Sequence, residues 1–367
     1  MDTFQNNDFS ASHQHQSSGT LQLEFKGSGS EYFRIWIVNL LLTIITLGIY
    51  SAWAKVRRNR YLYSSTQLGG SSFEYHGNAI AILKGRIVAF VFIFGYQLAF
   101  KFSIGLGFAM MALMVAIMPW LVWKSLQFKL YNSSYRGIRF GFRGTAGQAY
   151  TTFLLWPFLT GLSLYLLAPV FHQRLKQFQH NESRFGSTHF SFDAGVGQFY
   201  KAYLLGIGIM IVGVIVICVG FGSTVAALAA VASNSDGHGR PGSVFGAVSS
   251  MFLFMFVLYL WLFAIYPIFL TLLQNLIWNH TKLGEHQFKN NMVWSRMSFI
   301  AVTNVLAIVC TLGLFIPFAQ IRALRYRIES LELEVNGSLD NFIAETQEQV
   351  NAAGEGMADL LDFDLSL

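Results

Sequence analysis

Long apolar runs are the feature of this sequence that most constrains its fold. A helix crosses the hydrocarbon core of a bilayer with about 20 residues, and the sequence has seven apolar runs of 14 to 30 residues, most of them near or above that length. They are Ile35–Trp53, Ile87–Phe100, Leu106–Trp123, Ala149–Val170, Tyr203–Val231 and Val244–Leu273, and a seventh is Phe299–Phe318. Only 12% of the 367 residues are charged, against about 25% in soluble domains. The sequence therefore predicts a polytopic α-helical membrane protein.

The polar and charged residues divide the chain into three parts. Residues 1–20 are polar and lack the basic segment and apolar core of a cleavable signal, which predicts a disordered N-terminal tail. Residues 21–335 form the predicted membrane domain. Residues 336–367 form an acidic C-terminal tail, since ten of the nineteen acidic residues lie from Glu329 onward. No Asp or Glu occurs from His76 through Asn181, a span with ten Lys and Arg.

Internal repetition is the second strong pattern. A shift of 265 residues superimposes "ITLGIYSAWAKVRRNRYLY" (Ile45–Tyr63) on "CTLGLFIPFAQIRALRYRI" (Cys310–Ile328), and shifts of 67 and 117 give weaker matches. Each unit has an apolar helix, a basic amphipathic helix and a short segment such as "FEYHG", "FGFRG" or "FSFDAG". Aromatic residues that alternate with period two indicate a strand with one buried face. We therefore expect internal pseudo-repeats whose short strands form a small cytoplasmic β layer.

The distribution of Lys and Arg separates two topologies. If all seven apolar segments cross, fifteen Lys and Arg lie inside and ten outside, a weak bias for the positive-inside rule. If Phe33–Trp53, Ala149–Val170 and Phe299–Phe318 re-enter on their own side, only Lys101 and Arg240 lie outside. We prefer this second arrangement of four spanning helices and three broken segments, with seven spanning helices as the alternative.

Two sets of residues are candidate functional positions. Broken helices need polar or hinge residues inside a protein-lined interior, and buried amides join helices in lipid. These candidates are Asn39, Thr46, Gly48, Gly161 (near Pro157), Asn304, Thr311 and Gly313. Basic residues near the membrane surface bind anionic headgroups at about 1 kcal/mol per charge. These candidates are Lys55, Arg57, Arg58, Arg60, Lys84, Arg86, Arg322 and Arg325.

Motifs of catalysis and cofactor binding are missing from the sequence. It contains no "HExxH", no "GxSxG", no Walker lysine and no Cys/His cluster. We expect no enzyme activity, no cofactor, no metal site and no nucleic-acid partner. No carboxylate occurs in an apolar segment, which argues against a proton relay or a cation-selective ring. A lipid, a hydrophobic solute or an anion agrees better with the basic centre.

The segment "GSGSEYFRIWIVNLLLTIITLGIYSAWAKVRRNRYLYSSTQLGGSSFEYHG" (Gly27–Gly77), followed by "ILKGRIVAF", resembles the YjgN family of bacterial inner-membrane proteins. The resemblance extends from about Leu21 to Val335. It implies a multi-pass protein of the bacterial inner membrane with no established activity, and it supplies no functional residues.

The functional hypothesis from the residues is a passive channel or carrier for a lipid or a small anionic solute. The alternative is a non-catalytic scaffold that recruits a partner through its cytoplasmic strands and acidic tail. Expected partners are membrane lipids with anionic headgroups, and a homo-oligomer is compatible with the sequence. The strand-like segments and the C-terminus are expected on the cytoplasmic side.

Overall fold

The computed structural model describes residues 19–222, 226, 229–230, 241–336, 343 and 346. Residues 1–18 of the predicted N-terminal tail and most of the predicted acidic tail lie outside these residues. The described chain repeats one order of elements five times: a strand, a pair of helices and a second strand.

Ten short strands provide the frame of the structure. They are β1 Gly19–Phe25, β2 Thr66–Leu68, β3 Ser71–Tyr75, β4 Ser133–Tyr135, β5 Ile138–Phe142, β6 Ser183–Phe185, β7 Thr188–Phe192, β8 Thr281–Leu283, β9 His286–Asn290 and β10 Leu331–Val335. Every strand is antiparallel to its neighbours in sequence, and β1 pairs with β10. Tight turns join the strands at one end, and the helix pairs leave from the other.

The strands form a closed barrel, and the prediction of a small β layer is wrong in this respect. Gly19 pairs with Val335 and Leu23 pairs with Leu68, so the first strand has neighbours on both sides. Closure leaves no unpaired edge among the ten described strands, which a flat layer would expose. Side chains of alternate strand residues fill the barrel interior, among them Tyr135, Phe185 and Leu333.

Within the described residues, eleven α-helices form the five pairs, and the third pair contains three of them. They are α1 Gly29–Ile45, α2 Ser51–Ser64, α3 Ala79–Phe102, α4 Ile104–Tyr131, α5 Ala146–Tyr150, α6 Trp156–Leu162, α7 Ala168–Asn181, α8 Val196–Gly220, α9 Pro241–Asn279, α10 Trp294–Cys310 and α11 Ile316–Glu329. A π-helical turn, Thr151–Leu155, joins α5 to α6 just before Pro157. Proline removes a helical hydrogen-bond donor, and a π turn is one way to accommodate that loss.

Two helix pairs are long and three are short. In the part of the chain that the structure describes, four helical segments are long and apolar enough to cross a membrane: Ala79–Phe102, Ile104–Tyr131, Val196–Gly220 and Val248–Asn279. They belong to the second pair (α3 and α4) and the fourth pair (α8 and α9). The first, third and fifth pairs each consist of 17 helical residues, a five-residue turn and a helix of 14 residues.

The turns of the three short pairs share one backbone geometry. The second residue has a positive φ in each: Leu47 (φ 51°), Leu164 (φ 51°) and Leu312 (φ 50°). The third residue also has a positive φ, and it is Gly48, Tyr165 and Gly313 respectively. A hydroxyl at the first position accepts the backbone N–H of the fifth residue, as in Thr46 to Tyr50 at 2.9 Å. The exposed tip leucines therefore sit on turns whose backbone bonds are made internally.

The helix pairs form a closed ring above the barrel. The second helix of each pair contacts the first helix of the next, and α11 of the fifth pair contacts α1 of the first. In the first pair and again in the fifth pair, a tyrosine of the second helix is hydrogen-bonded to the residue that precedes the first helix. The hydroxyl of Tyr61 donates to Ser28 O at 2.9 Å and accepts from Ser28 N at 2.8 Å. Tyr326 makes the same two bonds to Val293.

Candidate anion-binding groove

Asn39 and Asn304 are buried between the two helices of their pairs. The Asn304 amide donates to Ala319 O at 3.1 Å, and the Asn39 amide approaches Ala54 O at the limiting distance of 3.5 Å. The two oxygens differ more. Asn304 Oδ1 accepts from Arg322 at 3.4 Å, whereas Asn39 Oδ1 has no partner and is buried. The two amides thus hold equivalent positions with unequal hydrogen bonding.

A groove of about 490 Å³ lies beside Asn39, where the first, second and fifth helix pairs meet. We call it the basic groove. Its apolar wall includes Trp36 and Leu40 of α1. Its polar and charged wall is formed by Tyr32, Asn39, Thr43, Ser51, Lys55, Arg58, Arg86 and Gln320. None of the lining residues is acidic.

Three cations line the basic groove: Lys55 and Arg58 of α2 and Arg86 of α3. Arg86 of α3 donates a hydrogen bond to the Ser51 hydroxyl of α2, which joins the second pair to the first. Arg58 lies beside the Tyr32 hydroxyl. Burial lowers the pKa of the Lys55 ammonium, and the charges of Arg86, Arg58 and Lys129 lower it further. An anion placed here would relieve this repulsion.

Another groove, of about 480 Å³, lies between the fifth and first pairs. It contains Arg296, Arg322, Arg325 and Glu329, so one carboxylate is present among three cations. Arg325 donates to Gly27 O at 2.7 Å and pairs with Glu329 at 3.8 Å. Arg322 donates to Thr303 at 2.7 Å. These guanidinium groups already have partners, which makes this groove a natural control for the basic groove.

The structure places the predicted residues in three different settings. The basic groove brings together Asn39, Lys55, Arg58 and Arg86. Arg57, Arg60 and Lys84 are exposed and do not line it. Thr46, Gly48, Thr311 and Gly313 form two of the short turns. Gly161 lies in the last turn of α6, and the third turn begins two residues later at Ser163.

Four polar residues of the basic groove were not predicted from the sequence. They are Tyr32, Thr43, Ser51 and Gln320. Tyr32 donates to Gln320 Oε1 at 2.9 Å, across 288 positions of the chain. The 265-residue shift contained a usable signal, because it aligns Gln320 with Lys55 and so places both on the same face of their helices.

The His, Cys, Asp and Glu side chains are the ones that could hold a metal ion. In the part of the chain that the structure describes, no three His, Cys, Asp or Glu side chains come together in a group that could hold a metal ion. Cys218 and Cys310 are exposed and free.

Comparisons with known proteins give a family. A family model described as "Bacterial protein of unknown function (DUF898)" matches residues 20–360. The chain is 36% identical over 146 residues to the inner membrane protein YjgN of Salmonella typhimurium, covering 40% of this chain and 37% of that protein. It is 32% identical over 142 residues to YjgN of Escherichia coli O157:H7, covering 38% and 35%. The chain thus spans little more than a third of these relatives' length. No solved structure matches.

Proposed function

The chain belongs to the DUF898 family of bacterial proteins, with the YjgN inner membrane proteins among its relatives, and from this premise we propose that it is a passive carrier for an anionic lipid or a small anionic solute. It is a multi-pass protein of the inner membrane. The proposed function is carried by one observation, the basic groove. Three cations from two helix pairs line it, no acidic residue does, and within the described residues Lys55 has no ion pair. Unneutralised cations in a cleft attract anions.

The proposal includes three short pairs that are internal repeats and re-enter the membrane. Their tip leucines Leu47, Leu164 and Leu312 are 94%, 85% and 95% exposed. In all three pairs an arginine follows the third turn residue by nine positions (Gly48 to Arg57, Tyr165 to Arg174, Gly313 to Arg322). Nine residues of helix rise about 14 Å, roughly half of the ~30 Å hydrocarbon core. With the arginines at the surface, the tips would reach the middle of the bilayer.

The barrel side is proposed to be cytoplasmic. With the short pairs re-entrant, twenty-three of the 25 Lys and Arg lie on the barrel side, as the positive-inside rule favours. From Arg86 the helix α3 has seventeen more residues to Ser103, about 26 Å, which takes Lys101 to the opposite surface. In this proposal the long pairs cross the whole bilayer and the short pairs end at its middle, as the positions of their basic residues indicate.

The scaffold alternative loses one of its two supports. Strand addition by a partner needs a free sheet edge, and each of the ten described strands is paired on both sides. Its other support, the acidic tail, lies mostly outside the described residues.

The carrier proposal is tested by reconstitution of the full chain into phosphatidylcholine vesicles. One set contains a fluorescent anionic lipid, and dithionite then reports its movement between leaflets. A second set is loaded with inorganic phosphate, and its efflux is measured. We expect the wild type to accelerate at least one process over protein-free vesicles, Arg58→Gln to reduce it, and Arg325→Gln to retain it. No acceleration in either set would refute the carrier.

The topology is tested by cysteine accessibility at Ser64, Ser133, Glu182 and His280, after the native cysteines are replaced. All four positions lie where a helix pair meets the barrel. We expect one common side, labelled only in inverted vesicles. Labelling of the first two from the side opposite to the last two would restore seven crossings.

A further inference from the structure

The charged side chains of the basic groove provide many hydrogen-bond donors and no acceptor. Lys55 offers an ammonium with three N–H groups, and Arg58 and Arg86 each offer a guanidinium with five. Arg86 uses one N–H on the Ser51 hydroxyl, which leaves others available. The Nε2 group of Gln320 also has no partner within the described residues, because its bond to Tyr32 is made by Oε1.

The acceptors of the same groove are fewer, and most of them already have a partner or are enclosed; the Thr43 hydroxyl donates to Asn39 O at 2.6 Å. The Ser51 oxygen accepts from Arg86, and Gln320 Oε1 accepts from Tyr32. The Tyr32 oxygen lies beside Arg58. Asn39 Oδ1 has no partner but is enclosed within the helix pair. A ligand that supplies acceptors therefore matches this groove better than an ammonium headgroup, which would meet three cations and few acceptors.

Charge and shape narrow the ligand further. Three cations without a carboxylate favour an anion of more than one charge, and guanidinium groups bind phosphate oxygens in pairs. A phosphate monoester carries a charge of about −1.5 to −2 at neutral pH and three acceptor oxygens, whereas a diester has one charge and two free oxygens. The facing wall of Trp36 and Leu40 is apolar and suits a hydrocarbon body next to the phosphate.

We infer that the basic groove binds a terminal phosphate monoester, with Lys55, Arg58 and Arg86 on its oxygens and an apolar body against Trp36 and Leu40. This inference rests on the proposed function and names the ligand class of the same groove. A monoester of this kind could be the headgroup of phosphatidic acid or a soluble phosphate ester from the cytoplasm. The groove of the fifth pair is expected to bind it more weakly, since Glu329 adds a carboxylate and both Arg322 and Arg325 already have hydrogen-bond partners.

The test is a binding titration of the full chain in phosphatidylcholine nanodiscs. One arm adds phosphatidic acid and a second adds phosphatidylglycerol, an anionic diester. A third adds soluble glycerol 3-phosphate, and a fourth inorganic phosphate. We expect the monoester lipid to bind about tenfold more tightly than the diester, since each charge-assisted hydrogen bond contributes on that order. Lys55→Gln and Arg58→Gln should each weaken the monoester about tenfold, and Arg325→Gln should leave it unchanged.

The outcomes separate the two proposals. Tighter binding of the lipid than of the soluble esters assigns the ligand to the membrane, and the reverse assigns it to the cytoplasm; either result supports the monoester site. Equal affinity for monoester and diester, or equal loss in Arg325→Gln and Arg58→Gln, would overturn it. Lipid transfer without monoester preference would refute this inference and leave the carrier standing, and monoester binding without transfer would do the opposite. Thermal unfolding of each variant checks that it is folded.

Discussion

The unequal hydrogen bonding of Asn39 and Asn304 predicts that the same substitution has different effects at the two equivalent positions. Leucine has a similar branched shape and no polar atoms. Asn304→Leu removes the bond to Ala319 O at 3.1 Å and the longer contact from Arg322 at 3.4 Å. Arg322 keeps its bond to Thr303. With about 0.5–1.5 kcal/mol for each net hydrogen bond, we expect Asn304→Leu to lower the unfolding free energy by about 1–2 kcal/mol.

Asn39→Leu removes weaker hydrogen bonding than Asn304→Leu does. Its one bond, to Ala54 O, is at 3.5 Å, where hydrogen bonds are weak. Its buried oxygen has no partner, and an unsatisfied buried polar atom costs about 1–3 kcal/mol in desolvation. The lost bond and the relieved desolvation offset each other. We expect Asn39→Leu to be neutral or to stabilise the protein by up to about 1 kcal/mol, so the two variants should differ by roughly 2 kcal/mol.

The assay is thermal unfolding of the purified full chain in detergent, followed by near-UV circular dichroism. The wild type and the two single variants are compared in the same buffer. The separation between the variants should amount to several degrees in midpoint, with Asn304→Leu the lower. Equal destabilisation of the two variants would refute the assignment of unequal bonding, and a lower midpoint for Asn39→Leu would reverse it.

Two further predictions concern single residues outside the groove. Gly48 has φ +93°, so Gly48→Ala should destabilise the protein by about 1–2 kcal/mol. Gly161 lies in a helix with open space at the Cβ position, so Gly161→Ala should stabilise the protein by about 0.5–1 kcal/mol. Denaturant titration compares the two variants, and equal losses of stability would contradict the placement of the third turn. Burial and the charge of Lys176 lower the pKa of His180 to about 4. Because the unfolded chain takes up this proton from about pH 6.5 downward, stability should fall from pH 6.5 through pH 4 by up to about 3 kcal/mol. The free energy of unfolding is measured at pH 7 and at pH 4. In His180→Phe, the decrease between these two pH values should be smaller than in the wild type, and an unchanged decrease would contradict a buried neutral histidine.

Two of the three turns could be predicted because glycine marks them. "TLG" at Thr46 and at Thr311 places glycine where φ is +93°. The third turn has the sequence "SLYLL", in which Leu164 and Tyr165 take positive φ without a glycine. The sequence therefore predicts a helix break at Pro157 and Gly161, and both residues lie inside helical structure. The usable signal was the hydroxyl of Ser163, which accepts from Leu167 N at 3.1 Å as Thr46 accepts from Tyr50.

Barrel closure could not be read from local patterns. Period-two alternation identifies a strand and its buried face, as in "FEYHG" before the second pair. It does not say which strand pairs with which. The closing contact joins Gly19 to Val335, and in a barrel of sequential antiparallel strands the first and last strands can pair in this way only if the number of strands is even. The basic groove is nonlocal in the same way, because it needs Arg86 and Gln320 from two other helix pairs.

The difference in depth between the helix pairs bears on whether the carrier could be a pore. If the short pairs stop at mid-bilayer, the half of the membrane away from the barrel contains only the second and fourth pairs. These pairs contact their short neighbours in the ring, and the described residues show no substantial contact between the two. Their apolar side chains, such as Phe90 (68% exposed) and Val216 (65% exposed), face outward as lipid-facing residues do. Two separate hairpins cannot enclose an aqueous path, so in this arrangement a single copy would have the proposed ligand site on the barrel side without a continuous pore. A channel would need a second copy to close the gap, and a lipid needs none, because its chains can stay in the bilayer while its headgroup occupies the groove.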